Sequence, residues 1–151
     1  MISTMNKLFD SWFDLLDGAI TYSGKSVKVY LEDVPEDTDT TGTVSEHYIL
    51  LRAEGEADDS NKRSFAFDTV VIVDIVTVFQ NNVNRSVVDN IAGQIDALVL
   101  TRPFTTGLAA QSGMQIINVK RETSNYLREG DNINNYYRKV SRYNHRLLQT
   151  S

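Results

Sequence analysis

The stretch that decides the fold is Ser64-Phe-Ala-Phe-Asp-Thr-Val-Val-Ile-Val-Asp-Ile-Val-Thr-Val-Phe-Gln80. It is dense in Val, Ile, Thr and Phe, side chains that fit a pleated, half-buried surface, and it holds neither Gly nor Pro. Alternation along a strand puts Phe65, Phe67, Thr69, Val71, Val73, Ile75, Thr77 and Phe79 on one face. Ala66, Asp68, Val70, Ile72, Asp74, Val76 and Val78 fall on the other. Both faces are largely apolar. One is expected to lie under a helix of the same chain and the other under more protein, such as a second subunit. A strand of this length exceeds the usual range and is expected to overhang its sheet.

Helices flank this strand on both sides. Met5, Leu8, Phe9, Trp12, Leu15 and Leu16 recur at spacings of three and four, which predicts an amphipathic helix from Ser3 to Asp17. Ser3 or Thr4 is its candidate cap, and Gly18 is placed to end it in a left-handed turn. After the long strand, Asn84 is a candidate cap for a second helix over Arg85 to Leu100. That helix carries a stripe of Val87, Val88, Ile91, Ala92, Ile95, Leu98 and Val99, and Pro103 follows it. The remaining strands are a hairpin of 19–22 and 26–31 around Ser23-Gly24-Lys25, a strand over His47 to Ala53, one over Met114 to Arg121, and a final one over Asn134 to Leu148. Charged or polar connections are expected over Glu54 to Arg63 and Glu122 to Ile133. The order predicts a single α+β domain over 1–151: a mostly antiparallel β-sheet with two helices packed on one face. Its long loops are at about 32–46 and 101–113.

The composition narrows the chemistry. The chain has 151 residues, a formal net charge of −5 and no cysteine, so thiol chemistry and disulfides are excluded. The N-terminal stretch lacks a charged region followed by an apolar core, so a secretory signal is not expected. No run reaches the roughly 20 apolar residues of a membrane-spanning helix. His47 and His145 are far apart in sequence, each without a second ligand at metal spacing. Ser-Gly-Lys-Ser at 23–26 lacks the first glycine of a phosphate loop and sits between strands rather than before a helix. The acidic loop lacks the spacing of a calcium loop. Asp68 and Asp74 share a strand face but stand roughly 20 Å apart, too far for paired acid–base work. No catalytic residue, metal or cofactor is expected.

Charge is unevenly distributed. Glu32, Asp33, Glu36, Asp37, Asp39, Glu46, Glu54, Glu56, Asp58 and Asp59 face only Arg52 over 32–59, while Lys120, Arg121, Arg128, Arg138, Lys139, Arg142 and Arg146 dominate the last part. Two solvated faces explain this. So does a contact in which one subunit's acidic loops meet the next subunit's basic strand, an arrangement that fixes partner and register. On that second reading the candidate interface residues are Glu36, Asp37, Asp39, Asp58, Asp59, Arg138, Arg142 and Arg146. Phe104 and Leu108 join them from a loop of small residues, where packing on their own core is an equal alternative. Arg138, Arg142 and Arg146 with Tyr143 also fit a basic face that binds nucleic acid through phosphates and stacking.

The order of elements resembles the tail-terminator (tail-completion) family of tailed bacteriophages. The resemblance is carried by the opening helix ending in Leu15-Leu16-Asp17-Gly18, the strand from Ser26 to Leu31 running into Asp33-Val34-Pro35, and Tyr48-Ile-Leu-Leu51. It continues in the long strand around Thr69 to Phe79 with the helix from Val87 to Leu100, and in the pair of strands over Met114 to Arg121 and Tyr136 to Leu148. It departs in the acidic loop before Tyr48, which is longer than the family's Pro-containing approach. The resemblance implies a structural virion protein that forms a ring, a hexamer or dodecamer, at the head–tail joint. Such a ring would cap the tail and meet the tail tube protein on one side and the portal-side neck ring on the other. DNA would pass through its lumen without sequence-specific binding, and no membrane would be involved. Its place would be the virion, after assembly in the host cytoplasm.

Overall fold

The computed structural model describes residues 4–32, 47–58, 65–79, 83–101, 106–108, 114–130 and 135–149. In chain order these form α1 (Thr4–Leu16), β1 (Thr21–Tyr22), β2 (Lys25–Ser26), β3 (Lys28–Leu31), β4 (Tyr48–Asp58), β5 (Phe65–Phe79), α2 (Arg85–Val99), β6 (Met114–Gly130) and β7 (Asn135–Gln149). Five strands make one sheet in the order β3-β4-β5-β7-β6, and β1 and β2 make a separate two-stranded hairpin. Only β3 and β4 pair in parallel; the other neighbours in the large sheet are antiparallel. The fold is α+β, dominated by the sheet, with both helices on one face.

The long strand is central. β5 lies between β4 and β7 and pairs with β7 from Phe65↔Gln149 to Phe79↔Asn135 without a register shift. Its odd-numbered residues face the helices. Val71, Val73 and Ile75 join Ile49 and Leu51 of β4, Val29 of β3, and Tyr143 and Leu147 of β7 in one core. From above, α1 adds Leu8, Trp12 and Leu16, and α2 adds Val88, Ile91, Ile95 and Val99. Each fully buried side chain of this kind contributes about 2 kcal/mol before entropy is charged.

The helix ends follow from local chemistry. Asn84 caps α2, its side-chain oxygen accepting from the Ser86 backbone N–H at 3.0 Å. Gly18 takes φ +74° past α1, the left-handed region that glycine enters without strain. Ser3 lies outside the described residues. Gln94 on α2 bridges to β1, accepting from the Thr21 N–H at 3.1 Å and donating to its carbonyl at 2.8 Å.

Three expectations are corrected. The segment expected as a polar connection after Arg121 is strand as far as Gly130, because it pairs residue by residue with β7, from Thr123↔Arg142 to Gly130↔Asn135. The charged stretch after Ala53 likewise stays in β4 to Asp58, pairing with β5 beyond a bulge between Ala53 and Gly55. The second arm of the expected hairpin breaks at Val27: Lys25 and Ser26 pair with β1, while β3 leaves to join β4 in parallel.

Candidate interaction surface

The even-numbered residues of β5 and β7 face away from the helices. No described element covers them, yet Val70, Val76 and Val78 are buried. Across the same face runs a layer of charged side chains from neighbouring strands. Asp74 is its centre, with a fully buried side chain. It stands opposite Leu50 on β4 and Val140 on β7, so Arg52 and Arg138 reach it diagonally from either side. Arg52 Nη2 donates to Asp74 Oδ2 at 3.2 Å and Arg138 Nε donates to Oδ1 at 3.1 Å. Arg138 Nη2 closes a fork on Oδ2, and Nη1 donates to Glu129 of β6 at 2.9 Å. The hydrogen bonds it donates to Asp74 hold the Arg138 guanidinium charged, outweighing the opposing effect of burial.

The layer continues along β7. Arg142 pairs with Glu54 of β4 and Glu122 of β6, and Asn144 donates to the same Glu122 at 2.9 Å. Arg146 stands 3.8 Å from Asp68. Positive and negative groups alternate across four strands. A cavity of about 270 Å³ opens beside Asp74, lined also by Tyr48, Leu50, Val76, Glu129, Tyr136 and Arg138.

Against the sequence expectations, Arg138, Arg142 and Arg146 do share one face. They are committed to carboxylates of their own chain: Asp74 and Glu129, Glu54 and Glu122, and Asp68. Tyr143 is not with them. It points into the core, edge-on to Trp12 at 5.0 Å, and its hydroxyl donates to Asp96 of α2. A basic face that interleaves these arginines with Tyr143 is therefore not formed. Of the two alternatives for Leu108, packing on its own core is the one observed. It is buried in the helix-side core, held there by a turn in which the Gly107 N–H donates to the Val99 carbonyl at 3.2 Å. Asp58 ends β4, while Glu36, Asp37, Asp39, Asp59 and Phe104 lie outside the described residues.

Neither histidine is placed as a metal ligand. His145 is fully buried between Trp12 and the Thr69 carbonyl. His47 packs between Tyr22 and Phe79, its Nδ1 accepting from the Val78 N–H at 3.1 Å, and burial lowers its pKa. Among the described residues no group of three or more His, Asp or Glu converges as a metal site, and no helix is long and apolar enough to cross a membrane.

The sheet has two free edges among the described residues. β3 is one and β6 is the other; β6 runs 17 residues with a neighbour on one side only. Among the described residues, the exposed large apolar side chains all sit on these two strands: Leu31 on β3, and Ile117, Tyr126 and Leu127 on β6. Sequence reasoning misses Tyr126 and Leu127 as edge residues, because the polar second half of β6 carries no strand pattern of its own. No protein-family model matches the chain, and no curated protein matches it.

Proposed function

We propose that the chain is a structural ring subunit of the head–tail joint of a tailed phage. In this role it caps the tail and connects it to the neck, and DNA passes through the lumen. The observation that carries the reading is the long open edge of β6 with its exposed Ile117, Tyr126 and Leu127. An edge of that length and character is a template for pairing with another chain, and proteins that remain monomeric blunt it. The first half of β6 carries two register shifts, between Ile116 and Asn118 and between Arg121 and Thr123, but the ladder from Thr123 to Gly130 is regular.

Two further features support an assembly role. The open face is a charge-balanced lattice rather than a basic groove, which suits a surface that duplex DNA passes without sticking. The resemblance in element order to tail-terminator proteins supplies the site of action. The test is to mix purified protein with tail tubes that lack their terminal ring. Capping of the tube ends, seen by negative-stain imaging, supports the role. Bare ends at saturating protein, with no binding to portal-side neck rings, sink it.

A further inference from the structure

Resting on that reading, we infer that the subunit contact is a strand-to-strand join in which the β6 edge of one copy receives the β3 edge of a second copy. The occupant of the open edge is thus the chain itself, and the sheet continues from copy to copy.

The direction of the strands permits it. Within one chain β3 runs parallel to β4, and the three antiparallel steps across β5, β7 and β6 leave β3 antiparallel to β6. A second copy placed beside β6 in the same orientation therefore offers β3 in the antiparallel sense, with its helices on the same face. Repeating that placement turns the sheet about an axis along the strands, and a heterologous contact of this kind makes a ring when it closes.

One register satisfies both faces. Setting Lys28 of the second copy opposite Glu129 places Tyr30 opposite Leu127 and Leu31 opposite Tyr126. Lys28 and Tyr30 share the open face with their β4 partners Tyr48 and Leu50; Glu129 and Leu127 share it with Tyr136 and Arg138. Leu31 and Tyr126 both lie on the helix side, where the Tyr126 hydroxyl donates to Asp89 of α2 at 2.6 Å. In this register Leu31, Tyr126 and Leu127, which are 39%, 43% and 45% exposed, are covered together. Lys28 gains a carboxylate, since Glu129 is 56% exposed on its side chain and Arg138 uses only one of its oxygens. A shift of one residue turns apolar side chains onto the wrong face. A shift of two sets Lys28 against Leu127 and Leu31 against Ser124.

The chain has no cysteine, so a designed pair reports the contact cleanly. In Tyr30→Cys/Leu127→Cys the two sites of one chain lie on opposite edges of a five-stranded sheet, about 19 Å apart at the usual strand spacing, and cannot bridge within the chain. The expected result on mild oxidation is a ladder of covalent multimers that ends at one closed species, absent for Tyr30→Cys/Arg128→Cys, whose second site faces the helix side. Rings that assemble under reducing conditions yet never cross-link overturn the join and leave the ring reading standing. Cross-linked strings that never close uphold the join and contradict the ring. A single-chain mass with no cross-link, both alone and with tail tubes present, overturns both. Leu127→Lys and Leu31→Lys, each a change at an exposed position, check the join without cysteines. Each should weaken self-association at least tenfold, and unchanged assembly in both overturns the join.

Discussion

Trp12 donates its indole N–H to His145 Nε2 at 2.9 Å, so the imidazole carries its proton on Nδ1, where the Thr69 carbonyl lies 2.9 Å away. This arrangement needs a neutral ring. Burial lowers the His145 pKa from its ordinary 6.5 to about 4, the Thr69 carbonyl opposing that only in part. The unfolded chain therefore takes up a proton from pH 6.5 downward that the folded chain refuses until about pH 4. Stability from this group is full above the upper limit, falls between the two, and is level below the lower one. The loss is on the order of 3 kcal/mol. Urea unfolding followed by the fluorescence of Trp12, the sole tryptophan, measures it, and His145→Gln should flatten the pH dependence over that window. Gly107 is a second point of constraint. A Cβ there would meet the Leu98 carbonyl oxygen at 1.9 Å, so Gly107→Ala should cost roughly 1–3 kcal/mol, read as a lower urea midpoint. The sequence marked both histidines as lone residues. It did not reveal that His145 is the partner of Trp12, 133 positions away, because that pairing depends on how α1 crosses the sheet.

At the scale of elements, burial made the fold legible and register hid the site. α1, β5 and α2 bury a clear stripe or face, and their observed limits lie within a residue or two of those expected. The second half of β6 buries almost nothing. Thr-Ser-Asn-Tyr-Leu-Arg-Glu has no apolar alternation, and it is a strand because β7 offers it a ladder. The charged layer was hidden for the same reason. Asp74 on its strand face was visible in the sequence, but Arg52 and Arg138 reach it only through the cross-strand pairs Leu50↔Asp74 and Asp74↔Val140. Asp74→Asn leaves two guanidinium groups facing each other over an amide. Both arginines are partly exposed, which moderates the penalty for unpaired charge to roughly 2–4 kcal/mol. The check is the urea midpoint of Asp74→Asn against Asp68→Asn. Asp68, with a 42% exposed side chain, should lose less than about 1 kcal/mol.

At the scale of the molecule, the described residues form one helical layer on one face of a five-stranded sheet with two open edges. Its core is complete on the helix side, and on the other side charged side chains replace a second layer. Among the described residues the sheet is thus closed over on its helix side and unpaired at β3 and β6, the edges on which the proposed ring contact rests. The charge asymmetry between 32–59 and the C-terminal part takes on a different meaning here. Its basic side is paired within the chain: Arg121, Arg138, Lys139, Arg142 and Arg146 all meet carboxylates of the same chain, and one of these, Glu54 on Arg142, comes from the acidic stretch.

The most direct test of the ring claim is the mass of the purified protein in solution across a wide concentration range, with and without tail tubes. The expected result is a discrete multiple of the 17.0 kDa chain that matches a closed ring, alone or on the tube ends. A single-chain mass at every concentration, unchanged by tail tubes, would contradict it.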